Sequence, residues 1–282
     1  MDWFVDPQRG RWLQERIPGL GMMVPSGMAA YARILNPVDA FRLDDDQEAT
    51  WRWADVAARN NVTLDSASEW LDITLDDTAN AWPDGWQVRW PDEGRIDPAL
   101  LASFVPALRA HTTRPDDITL AVWEGWGFGA SSVSVYVAFD GEKNPASEPV
   151  TDPREPRHQA IDPRLVAMAE FDGGAYKRAR RGEVREFGEP RFDLPHRRYA
   201  LGATNLDELA RPDWPRRAGL GWAPDDETGI MPQLIWPADE TWCLSIEVDA
   251  PYTVVAGPRE LVRELLTLDG IEGHAIREPR YT

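Results

Sequence analysis

The residues best suited to chemistry lie near the C-terminus, in "TWCLSIEVDA" at 241–250. Glu247 and Asp249 alternate with Val248, so on an extended strand both carboxylates project to one side with Cα atoms ~6.5 Å apart. Paired carboxylates at such a distance serve acid–base hydrolysis or metal binding. The same pattern also arises on any strand whose outer face meets water, or where an arginine such as Arg259 neutralises the pair. Cys243 precedes them and is the single cysteine of the chain. A nucleophilic thiol needs a histidine or a cationic neighbour, whereas the residues sharing its strand side are Ser245, Glu247 and Asp249. A buried structural cysteine is the better expectation. One cysteine also excludes an internal disulfide and a multi-thiolate zinc site.

Other chemical signatures are weak. The four histidines, His111, His158, His196 and His274, show no H-x-x-x-H or H-E-x-x-H spacing, and the acidic runs at 44–46 and 224–228 lack the calcium-loop pattern. No metal and no cofactor is expected. Gly125-x-Gly127-x-x-Ala130 has the outline of a nucleotide-binding loop. That motif must open a helix whose N-terminus faces phosphate, and the next segment, "SSVSVYVAF", has strand periodicity. A turn is expected instead. Over 175–199 the chain is locally basic, and Arg178, Arg181 and Arg185 form a candidate anion clamp; a solvated segment pairing with the acidic remainder is the alternative.

The fourteen tryptophans are the compositional anomaly. Most should be core, because each ring buries a large area. Trp82, Trp86 and Trp90 stand in "AWPDGWQVRWPDEG", whose composition is that of a loop, and aromatic residues in polar loops suit a partner or ligand surface. Trp123, Trp126, Trp236 and Trp242 complete the candidate binding set, with Trp236 and Trp242 also candidates to line a pocket over the carboxylate pair.

These side chains need positioning elements. The pattern predicts a strand over 27–35 closed by Asn36-Pro37, and an acidic loop feeding a helix near 49–59 that stops at Asn60-Asn61. A capping box at Ser66-x-x-Glu69 precedes Trp70. A helix starts at Asp97-Pro98 and should kink or end early at Pro106. "ITLAVWE" after Arg114-Pro115-Asp116 reads as a strand. "TWCLSIEVD", "YTVVAG", a helix after Gly257-Pro258 and a short strand at "EGHAI" close the chain, with Gly270 ending the helix. The order of strands and helices specifies an α+β fold, a mostly antiparallel sheet with a few packed helices.

The chain has 282 residues, a net charge of −18 and a pI near 4.6; Lys143 and Lys177 are its lysines, so arginine carries the positive side. That field disfavours general nucleic-acid and membrane-surface binding and favours a basic protein partner. No apolar leader and no run long enough to span a bilayer is present, so a cytoplasmic location is expected.

"YARILNP", "TTRPDDITLAVWEGWG" and "LIWPADETWCLSIEVDAPYTVVAGPRELVRELL" together resemble a family of actinobacterial proteins with no established activity. Its pattern carries a tyrosine-rich strand before Pro37, a W-E-G strand after a T-x-x-P turn, and a W-P-x-D-x-x-W-C block; this chain has Ala256 where the family has a second glycine. The resemblance covers about half the chain in separate blocks. It implies one shared fold and names no chemistry. Its blocks flank the proline-rich, polar stretch 141–163, which implies a single composite domain over 1–282 with a loop or linker excursion there. The reading that best fits is an acidic, tryptophan-rich, non-enzymatic binding or inhibitor module, immunity-like, for a protein partner. The alternatives are a hydrolase with its carboxylate pair in a tryptophan-lined pocket, and a small-ligand-binding protein.

Overall fold

The computed structural model describes residues 1–3, 5–19, 23–42, 44–74, 80–126, 187, 189–223 and 229–279. The strand expected after Ser131, the stretch 141–163, His158, the acidic run 224–228 and the arginines Arg178, Arg181 and Arg185 lie outside them.

The chain folds as α+β, with its strands in two antiparallel sheets. The large sheet is built from β1 (Asp2–Trp3), β2 (Ala30–Leu35), β7 (Ile118–Trp123), β8 (Phe192–Leu194), β9 (Arg197–Thr204), β10 (Leu234–Pro237), β11 (Cys243–Ile246), β12 (Tyr252–Gly257) and β13 (Gly273–Ile276). Their order is β1-β9-β7-β10-β11-β12-β2-β13, with β8 folded back on β9 through a turn in which His196 adopts φ 62°. β7, β10, β11 and β12 are short and nearly wholly apolar because both faces of the sheet are covered. One face packs on α4 (Pro98–Ala110), α5 (Leu206–Leu209), α6 (Trp214–Arg217) and α7 (Arg259–Leu265), burying Leu120, Leu244, Ile246 and Val255 under Phe104, Trp214 and Leu261. The other lies beneath α1 (Arg11–Arg16) and the segment after it, where Trp12, Leu13, Ile17 and Met23 cover Ala121, Leu234, Trp236 and Cys243.

α4 begins as its sequence dictates: the Asp97 carboxylate accepts from the Ala99 and Leu100 amides at 2.6 and 2.8 Å, with Pro98 in the first turn. It does not end at Pro106. That residue is exposed, so the interrupted backbone bond lies on the solvent side, while buried Phe104, Val105, Ala107 and Leu108 carry the helix to Ala110.

A second, smaller sheet, in the order β4-β3-β6-β5, is inserted between β2 and α4. It comprises β3 (Val38–Arg42), β4 (Gln47–Trp51), β5 (Asn80–Ala81) and β6 (Trp86–Val88), with α2 (Trp53–Arg59) and α3 (Trp70–Ile73) on its inner face. The helix expected from residue 49 thus starts at Trp53. Thr50 and Trp51 suit a strand and pair with Asp39 and Val38, and Asp55 closes a capping box on Arg52. α3 is likewise capped three residues later than expected, by Glu69 with Asp72, while Asp65 takes the Ala67 and Ser68 amides. "AWPDGW" is a tight hairpin rather than a loop. The Trp82 amide donates to the Trp86 carbonyl at 2.9 Å, and Gly85 supplies the φ of 85° that the turn needs.

The two sheets share a boundary. Leu35 and Tyr252 of the large sheet pack into the small core beside Trp53 and Trp70. Glu272 accepts from the Trp53 and Ala54 amides at 2.6 and 2.9 Å, so α2 is capped from the strand entering β13.

Candidate functional site

Glu247 and Asp249 do not share a strand face. β11 ends at Ile246, Glu247 comes directly after it, and Asp249 lies in the turn before β12. Glu247 is buried, and its carboxylate meets the Arg197 guanidinium at 2.5 Å. Arg197 reaches it from β9, across β7 and β10, with its guanidinium 5.2 Å from the centre of the Trp123 ring. Burial is the largest influence on Arg197 and works against its charge, but the hydrogen bond and charge of Glu247, with a smaller share from Tyr199, together leave its pKa raised. The Glu247 oxygens also accept from the Val248 amide at 2.9 Å and the Met23 amide at 3.4 Å. The carboxylate therefore ties β9, β11 and the covering N-terminal segment together.

Cys243 is fully buried, and burial pushes its thiol far above the ordinary range. His274 has its pKa lowered by burial and then by Arg33. His111 pairs with Glu264 at 3.1 Å, and His196 is exposed at the β8–β9 turn. Among the described residues no three of His, Cys, Asp and Glu converge as a metal site.

The tryptophans separate by environment. Trp236 and Trp242 are buried on opposite faces of the large sheet, donating to the Arg9 and Leu108 carbonyls, so they line no common pocket. Trp123 precedes and Trp126 closes a single 3-10 turn, Glu124–Trp126, both partly buried; Gly127 and Ala130 lie outside the described residues. Trp82 and Trp86 sit on the inner side of the small sheet around Trp51, at ring separations of 5.6 and 5.2 Å. Arg59 stacks on Trp51 and Trp82 and pairs with Asp84, and the Trp82 indole donates to Asn60. Trp90 alone of the set is largely open, at 45% exposure, with one side on Trp70 and its indole on Glu93.

The outer face of the small sheet was not legible as a site. Alternation along Val38-Asp39-Ala40-Phe41 puts Asp39 and Phe41 outward, and register places Thr50 and Glu48 directly opposite them on β4. Arg89, just past β6, lays its guanidinium 5.4 Å from the centre of the Phe41 ring and 3.8 Å from the Asp39 carboxylate. Asp39, Ala40, Phe41, Glu48, Ala49, Thr50 and Arg89 enclose an open groove of about 260 Å³. In the turn between β3 and β4, Asp44 and Asp45 pair with Arg42, and Asp46 is exposed. Glu48 and Asp46 have no ion-pair partner among the described residues.

No family model, curated protein or solved structure matches this chain. The geometry alone must carry the functional reading. A groove with an aromatic floor and acidic walls holds a cation by ring stacking and charge-assisted hydrogen bonds. The alternation of β3 was the available signal for it. The convergence of Arg89 on Asp39, fifty residues apart, was not readable.

Proposed function

We propose that the protein is a non-enzymatic binding module, of inhibitor or immunity type, that engages a basic protein partner through its small sheet. The carrying observation is the solvent-facing groove of Asp39, Phe41, Glu48 and Arg89, whose acids and ring face outward on a chain of net charge −18. Acidic surfaces of this kind steer basic partners in over a Debye length of roughly 8–10 Å. The hydrolase alternative has less support, because Glu247 is held by Arg197 and two backbone amides beneath the N-terminal segment. Among the described residues no helix is long and apolar enough to cross a membrane, and a cytoplasmic site of action belongs to the proposal.

Native mass spectrometry of the protein, purified gently from its own host, tests this reading. A stoichiometric basic protein companion is the expected result. A retained small molecule in its place, or a bare chain throughout, overturns it.

A further inference from the structure

We infer that the groove over β3 and β4 takes an arginine side chain from an extended, basic segment of the partner, laid along the open edge of β4 as an added strand. This rests on the binding reading above and names its surface and occupant.

The groove already holds a guanidinium. Arg89 stacks on Phe41 and faces Asp39, so the chemistry this surface accepts is displayed by the chain itself. Across the register from Phe41 stands Glu48, exposed and without an ion-pair partner among the described residues. Half of the groove's charge is thus answered from within and half is not. The open volume of about 260 Å³ compares with roughly 30 Å³ for one water in the liquid, which leaves room for a long side chain beside Arg89.

The neighbouring backbone points to how that side chain arrives. β4 pairs with β3 in unbroken register over five residues and, among the described residues, has no strand on its other side. Open edges are commonly blunted by lysine, proline or a bulge. Gln47-Glu48-Ala49-Thr50-Trp51 carries none of these, and its one charge is the unpaired Glu48. A segment added there would alternate its side chains between two environments. One set would lie beside Glu48 and Thr50 over the groove. The other would lie beside Ala49 and Trp51, where small or apolar groups fit. Charge complementarity then selects arginine for the first set, and acidic segments are repelled by Asp46, Glu48 and the net field.

The test uses the full chain and a fluorescein-labelled ten-residue peptide alternating arginine and valine, read by fluorescence anisotropy at low and at physiological salt. Saturable, salt-weakened binding is expected, several-fold weaker when lysine replaces arginine and absent when glutamate does. Glu48→Arg should weaken binding at least tenfold and Glu48→Gln about threefold. Arg89→Ala, which leaves Phe41 and Asp39 open, should tighten it about threefold. Because only alternate N–H groups of an added strand face its neighbour, peptides N-methylated on alternate residues should bind in one register and fail in the other. Equal binding to wild-type protein and Glu48→Arg, binding in both methylated registers, or no binding of the arginine peptide overturns the inference. The wider reading is judged separately: a basic companion in native mass spectrometry sustains it even when the groove variants bind that companion unchanged.

Discussion

The two sheets use the same residue types to opposite ends. In the large sheet, Trp236 and Trp242 are sealed on opposite faces, and Glu247 is neutralised by Arg197 across two intervening strands. In the small sheet, among the described residues, only the inner face is covered, by α2 and α3, and the outer face keeps Asp39, Phe41 and Glu48 toward solvent. The difference arises from layers. A sheet enclosed on both sides turns every aromatic and acidic side chain into packing or an ion pair. A sheet enclosed on one side leaves alternate positions free to meet something else. Residue type announces neither outcome; the presence of a second covering layer decides it.

The sharpest way to break that comparison is to remove tryptophans from both sides of it. Trp242→Ala, at a fully buried position whose indole also bonds the Leu108 carbonyl, should cost ~3–5 kcal/mol in urea unfolding. Trp90→Ala, with nearly half its surface in water, should cost about 1 kcal/mol or less. Comparable losses at the two positions would end the distinction. Next in size is Glu247→Gln, which strands Arg197 against Trp123. Removing one member of a buried pair costs about 3–5 kcal/mol, and the 15% and 10% exposure of these two side chains puts the effect near the lower figure. The double variant Arg197→Met with Glu247→Leu should recover a substantial part. A single Glu247→Gln change that leaves stability intact would return the carboxylate to the reactive candidates.

A smaller effect is expected in acid. Burial acts to raise the pKa of Asp239, yet the Thr113 amide and the hydroxyls of Thr112, Thr113 and Thr241 all donate to its carboxylate and bring the net shift below the usual value. A carboxylate depressed on folding stabilises the native state above its unfolded pKa of about 3.9, and that contribution is lost as pH falls through the lower native value. Asp239→Asn should therefore lower stability by ~1–2 kcal/mol at neutral pH and flatten the decline below about pH 4. A decline as steep as in the parent protein would assign the acid sensitivity elsewhere, with Asp117, held down chiefly by Arg9, as the next group to change.

How much of this could be read from the chain divides along the same line. Local signals were legible: Asp97-Pro98 starts α4, the period of two from Trp242 to Ile246 gives β11 its faces, and "EGHAI" forms the closing strand. Elements fixed by neighbours were not. Thr50 and Trp51 join a strand because β3 lies alongside, and Trp82 and Trp86 leave their loop-like context because Arg59 and Trp51 gather them inward. The carboxylate pair failed for a related reason. Alternation predicted the side of β11 on which Glu247 lies, but nothing local revealed that Arg197 would arrive there from β9. Asp39 and Phe41 escaped notice since an alternating strand reveals two faces without saying which one is roofed.

The smallest expected change is the one most telling for function. Glu48 touches no cation and caps no helix among the described residues, so Glu48→Gln removes no interaction that holds the fold. It also takes one charge from a chain carrying −18, which relieves self-repulsion slightly. Stability measured by urea unfolding should stay within about 0.5 kcal/mol, with any shift toward greater stability and largest at low salt. An acid that can be removed without loss, on a groove that already accommodates Arg89, is what an interaction surface requires and a structural residue does not. A clear loss of stability on Glu48→Gln would mean that the outer face also serves the fold. The contrast between the two sheets would then reduce to one of degree.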